Sequence, residues 1–218
     1  MIKEHDLPRL RARWRTIARV LGKLFPHATI ALRFSNEWEL LVAVQLSAQC
    51  TDKKVNEITP ALFRKYPNLD AYVRAGKTPA GVREFERMIK PSGFYHAKAR
   101  NILAAANYVA ENYRGKLPRT MKEMVTIPGV GRKSANVILG NAHGIVEGIA
   151  VDTHVMRLAK VLGLTDERTP EKIERDLMQI VPRKDWFRAT YMLIDYGRKY
   201  CSARRHDHAH CPLTEALA

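Results

Sequence analysis

Residues 127–154, IPGVGRKSANVILGNAHGIVEGIAVDTH, decide how the rest of this 218-residue chain is read. Pro128 fixes φ, and Gly129 and Gly131 carry no Cβ to bar a positive φ, so a sharp turn with open N–H groups is expected. From Arg132 the spacing turns helical, with Ala135, Val137, Ile138 and Leu139 on an apolar face that Asn136 interrupts. A glycine turn feeding a helix N-terminus gathers unpaired donors and the positive end of the helix dipole at one point. Such a point suits an anion such as a phosphate. Lys133 falls in the first helical turn, where the dipole disfavours a cation by roughly 0.3–1 kcal/mol. That misplacement points to a role. Crowding by Arg132, the dipole and partial burial are expected to lower its pKa from about 10.4, leaving some neutral, nucleophilic amine. The alternative is a solvated lysine that only touches phosphate.

The second half of the stretch carries the short apolar run Ile149-Ala150-Val151, which delivers Asp152, Thr153 and His154 to a further helical pattern through Val155, Leu158, Ala159 and Leu162. Asp152 reads as the N-cap of that helix. A carboxylate held by a cap can also accept a proton from Lys133 and later support positive charge on a sugar ring, and the two roles are compatible.

Composition narrows the partners. The chain has 37 Lys and Arg against 22 Asp and Glu, a net charge of +15 and a pI near 10.0. Such an imbalance favours a polyanion, and nucleic acid before membrane when no lipid anchor is present. There is no 18-residue apolar run and no apolar N-terminal region of the signal-peptide kind, so the chain reads as intracellular, cytoplasmic or nucleoid-associated. Its 46% hydrophobic content is that of an ordinary globular protein, one large domain or two small ones.

The remaining pattern is helical almost throughout. Trp14, Ile17, Ala18, Leu21 and Leu24 mark a first helix within Leu7–Phe25, and Trp38 to Leu46 a second. Val55, Ile58 and Leu62 carry a third. Thr78-Pro79 opens a fourth, His96 to Gly115 spans the clearest, and Thr120 caps a short one before the hairpin. After the Asp152 helix ends at Gly163, Thr169-Pro170 starts another, and a last runs from Trp186 to a break near Gly197. The expectation is an all-α architecture of roughly ten helices.

At this point the residues resemble a known family. Leu46-Ser47-Ala48-Gln49-Cys50-Thr51-Asp52, Gly93-Phe94-Tyr95-His96-Ala97-Lys98-Ala99, Ile127 to Lys133 and Val151-Asp152-Thr153-His154 resemble, in order and spacing, endonuclease III of the helix-hairpin-helix DNA glycosylases. The likeness runs from about Trp14 to Tyr200. It implies a bilobal all-α fold with DNA in the cleft: a six-helix barrel over residues 30–145 bearing the hairpin, and a second, discontinuous lobe of residues 1–29 and 146–218. It implies a monomer acting on duplex DNA with a damaged base or an abasic site. The nucleotide is flipped out, Lys133 attacks the sugar C1′ to form a Schiff base, and β-elimination cuts the strand. Asp152 would assist Lys133, the hairpin N–H groups of Gly129, Val130 and Gly131 would hold a backbone phosphate, and Arg132 stands beside them in the same turn. Gln49 would fill the gap left by the flipped nucleotide. Phe94 is either a wedge against the opposite strand or a packing anchor, and Ser134 and His154 either line the pocket, contact phosphate or cap locally. The favoured activity is a bifunctional glycosylase and AP lyase for oxidised pyrimidines. The rivals are a thymine or uracil mismatch glycosylase of the same superfamily and a non-catalytic binder of damaged DNA.

One departure stands out. Members of this family usually end in four cysteines that ligate a [4Fe–4S] cluster; here Cys201 and Cys211 match the first and third, while His208 and Leu217 occupy the second and fourth. A cubane needs four ligands, so no cluster is expected. Cys201, His206, Asp207, His208, His210 and Cys211 still form a compact ligand set. The expectation is that they are remnants without a metal, with a zinc site of two Cys and two His as the alternative, Cys201, His208 and Cys211 being its candidates.

Overall fold

The computed structural model of the chain describes residues 2–204 and 207–217. Among these, twelve α-helices and four short 3₁₀ turns occur and no strand, so the expected fold class holds. The chain forms two compact units, Ala31–Ile145 and the pair of segments Met1–Ile30 with Val146–Ala218.

The continuous unit contains α2 (Glu37–Leu46), α3 (Asp52–Lys65), α4 (Leu69–Gly76), α5 (Pro79–Ile89), α6 (Tyr95–Tyr113), α7 (Met121–Met124) and α8 (Arg132–His143). Helix α2 is its centre. Asn36 caps it by accepting from the Glu39 N–H at 2.9 Å, and Trp38 and every residue from Leu40 to Leu46 are buried. A helix apolar around its whole circumference has to be enclosed, and α3, α6 and α8 pack around it. Trp38, Tyr66, Tyr72 and Phe85 form an aromatic cluster at the base of α4 and α5, with ring centroids 5.3–5.7 Å apart in edge-on or tilted arrangements.

The discontinuous unit contains α1 (Leu7–Leu24), α9 (Thr153–Val161), α10 (Pro170–Ile180), α11 (Trp186–Lys199) and α12 (Pro212–Leu217). Leu10, Trp14, Ile17 and Leu21 recur once per turn on α1 and are buried, while its arginines keep to the other faces. They join Val155 and Leu158 of α9, Ile173 and Leu177 of α10, and Leu193 and Tyr196 of α11 in one core. Arg13 Nε donates to the Leu162 carbonyl at 2.6 Å, satisfying an acceptor at the end of α9 that the helix itself cannot.

Two helices exceed the sequence expectation. Helix α4 is only eight residues long and α12 six, too short for a 3.6-residue period to register. The last long helix ends at Lys199, two residues past Gly197. Gly197 is a packing position: a Cβ on it would lie 2.8 Å from His154 Nδ1 and 3.3 Å from Leu158 Cδ1, so the glycine lets α9 and α11 approach.

Candidate active site

The turn between α7 and α8 is built as expected at one glycine and differently at the other. Gly129 has φ +77°, and an added Cβ would sit 2.9 Å from Asn101 Cβ and 3.1 Å from Gln45 Nε2. Both conformation and space therefore demand glycine there. Gln45, buried on α2, donates to the Pro128 carbonyl at 2.8 Å and fixes the turn to the central helix. Gly131 instead has φ −89° and ψ 174°, extended backbone open to any residue, and nothing lies within 4 Å of where its Cβ would be. It is the N-cap of α8 and supplies no capping side chain. Its missing Cβ leaves open space in front of the first turn rather than a special dihedral. The Val130 N–H, expected among the open donors, is engaged by the Ile127 carbonyl at 3.0 Å because it closes the turn, and Val130 is buried. Arg132 and Lys133 occupy the first two positions of α8, Arg132 exposed and Lys133 half-buried, followed by half-buried Ser134.

Next to this turn a cavity of about 280 Å³ is lined by Gln45, Gln49, Phe94, Lys98, Gly129 and Ser134, among others. The structure thus brings together four residues that the sequence singled out from three separate segments. Gln49 lies in the loop between α2 and α3 with φ +51°, and Phe94 precedes α6 with φ +47°. Both are non-glycine residues in the left-handed region, which costs of order 1–3 kcal/mol each and persists only where the surroundings enforce it. Phe94 is 67% exposed, so it is no packing anchor.

Lys98 supplies the enforcement. Its side chain is 6% exposed, and Nζ donates to the Leu46 carbonyl and to the Ser92 carbonyl, each at 2.8 Å. One buried cation therefore ties the end of α2, three residues before Gln49, to the turn two residues before Phe94. Burial holds the Lys98 ammonium below the usual lysine range. Sequence reasoning assigned no role to Lys98 or Gln45. A lysine four residues before Ile102, in the buried register of α6, was the available signal.

In the other unit Asp152 is the N-cap of α9, as its sequence position suggested, and its carboxylate accepts from the Val155 N–H at 2.8 Å. His154 is half-buried in the first turn of the same helix, with Nδ1 turned onto Gly197. It packs against α11 of its own unit.

These features coincide with a family match: residues 42–183 fit the model of the HhH-GPD superfamily base excision DNA repair proteins. Endonuclease III of Synechocystis sp. is 45% identical over 186 residues, covering 85% of this chain and 83% of that protein. The chain belongs to the endonuclease III family of the HhH-GPD superfamily. Endonuclease III of Escherichia coli K12 is 38% identical over 180 residues, with 83% of this chain and 82% of that protein covered. A solved non-covalent endonuclease III–DNA complex superposes with a TM-score of 0.88 at 37% identity over 99% of this chain and 95% of that one. A thermostable thymine-DNA glycosylase, at 19% identity and a TM-score of 0.78, shares the fold.

The iron–sulfur cluster usual in endonuclease III relatives is tested by the donor set of the C-terminal segment. Ligand atoms of Cys201, His208 and Cys211 lie within 4.8 Å of one another, and both cysteines are buried. Leu217, half-buried against the core, stands at the fourth position and offers no donor. Two thiolates and an imidazole do not make the four-ligand set of a cubane. The expectation of a metal-free tail is not supported either, because side chains read as remnants are gathered into a group that could hold an ion. His206 lies outside the described residues. Among the described residues no helix is long and apolar enough to cross a membrane.

Proposed function

We propose that this chain is a bifunctional DNA glycosylase and AP lyase that removes oxidised pyrimidines from duplex DNA. Lys133 is the nucleophile: its neutral amine attacks C1′, the base departs, and the resulting Schiff base opens the way to β-elimination. Asp152 helps to deprotonate Lys133 and supports the positive charge that develops on the sugar. The first turn of α8, with Arg132, Ser134 and the open space at Gly131, receives a backbone phosphate. Gln49 enters the space left by the extruded nucleotide, and Phe94 wedges against the opposite strand to offset lost stacking.

The observation that carries this reading is the convergence of Gln49, Phe94, Gly129 and Ser134 on one cavity beside the helix bearing Lys133. Two strained, exposed side chains at the mouth of a cavity suit insertion into DNA better than they suit folding. The net charge of +15 supplies the salt-sensitive attraction to phosphates.

Borohydride trapping on a duplex with an abasic site tests the chemistry. A covalent adduct that disappears in Lys133→Ala is expected; a persisting adduct, or none in the parent protein, overturns the assignment. A panel of thymine glycol, dihydrouracil and uracil or thymine opposite guanine tests the substrate. Fastest release of a mismatched base would replace the oxidised-pyrimidine reading with a mismatch glycosylase.

A further inference from the structure

We propose that Cys201, His208 and Cys211 bind one thiophilic divalent cation of the zinc class, with the fourth coordination position left to solvent, in place of the iron–sulfur cluster.

The geometry points to a mononuclear ion. With Zn–S near 2.3 Å and Zn–N near 2.0–2.1 Å, the S···N edge of a tetrahedron is roughly 3.6 Å. Cys201 Sγ and His208 Nδ1 are 3.7 Å apart. All three ligand atoms already lie within 4.8 Å of one another, so an ion needs only a small inward adjustment. Neither cysteine is in a disulfide.

The surroundings hold the ligands in place. Cys201 follows α11, and its carbonyl and sulfur accept from Arg157 at 2.5 and 3.4 Å, the kind of outer donor that orients a metal-bound thiolate. Cys211 is fixed by its N–H to the His208 carbonyl at 3.0 Å, a turn that places both ligands on one side. It is followed by Leu213, fully buried, whose N–H donates to the Tyr196 hydroxyl at 3.2 Å. His208 is exposed and closes the site from the solvent side, where the open vertex takes water. Cys211 Sγ donates to the Tyr200 carbonyl at 3.4 Å; on loading, the ion replaces the two thiol protons, which pass to solvent, and that hydrogen bond is given up. A bound ion would close the segment between Cys201 and Cys211 and pin α12 onto α11 and α1.

The test uses the full chain purified without a His tag or chelator. Elemental analysis is expected to find about one zinc per chain, and cobalt(II) added to the metal-free protein should give thiolate charge-transfer and tetrahedral ligand-field bands that saturate at one equivalent and are displaced by zinc. Zinc should also raise the melting temperature. His208→Ala, at an exposed position, should weaken cobalt binding at least tenfold and remove most of the melting shift; Cys211→Ser should abolish both. Iron with equimolar acid-labile sulfide, no cobalt bands and no melting shift with zinc chloride, or equal binding by His208→Ala would each overturn the proposal. Should Cys211→Ser fail to fold, His208→Ala decides.

Discussion

Replacing Lys98 by methionine removes the buried cation that spans Leu46 and Ser92 while keeping a long aliphatic side chain in its place. Two carbonyl acceptors lose a charged donor at 2.8 Å each. A hydrogen bond to a charged group contributes about 1.5–3 kcal/mol, and a buried acceptor left unpaired costs about 1–3 kcal/mol. Against this, the variant no longer desolvates an ammonium, a cost visible in the lowered pKa of Lys98. The balance is a loss of about 2–4 kcal/mol, or roughly 5–15 °C in Tm for a chain of this size. The pH dependence identifies the cause. The folded pKa lies below the ordinary 10.5, so between the two values the unfolded chain binds more protons. Parent stability therefore rises with pH across that window, while Lys98→Met lacks the rise, and the gap between them widens. Urea unfolding at several pH values measures this. Activity should fall as well, because Gln49 and Phe94 lose the tie that enforces their left-handed backbones. A Tm within about 1 °C of the parent, or a gap that narrows toward pH 10.5, would refute the reasoning.

Gly129→Ala combines a φ of +77° with a Cβ 2.9 Å from Asn101, and should cost about 2 kcal/mol or more in urea unfolding. Gly131→Ala meets nothing within 4 Å and should change stability by less than about 1 kcal/mol, yet lower affinity for an abasic duplex at least tenfold if phosphate approaches there. Phe94→Ala should leave Tm within about 1–2 °C, since the ring is 67% exposed, while single-turnover base release slows at least tenfold. Asp152→Asn keeps a good N-cap, so circular-dichroism melting should move little, whereas turnover should drop by orders of magnitude; normal turnover would reduce Asp152 to a cap.

Much of this molecule was legible without coordinates because its helices are long and their apolar positions periodic. Trp14, Ile17 and Leu21 announce the face that α1 buries, and Asp152, Thr78 and Thr120 announce their helix starts through the polar atom each offers the first free N–H groups. The glycine turn before Lys133 was legible for the same reason: local sterics restrict a few adjacent residues at a time. Helices α4 and α12 were not, since eight and six residues leave too short a period to read and their formation rests on packing.

The sequence by itself determined the fold class, the positions of Lys133 and Asp152 at helix starts, and the loss of two cluster cysteines, because each follows from neighbours within one or two turns. Tertiary structure alone decided that Gly129 is pressed against Gln45 while Gly131 faces open space, and that Phe94 is exposed. It also decided that Lys98 ties two loops 46 residues apart, and that Cys201, His208 and Cys211 meet. These are distances between atoms far apart along the chain, fixed only once the helices have packed and each buried polar group has found its partner.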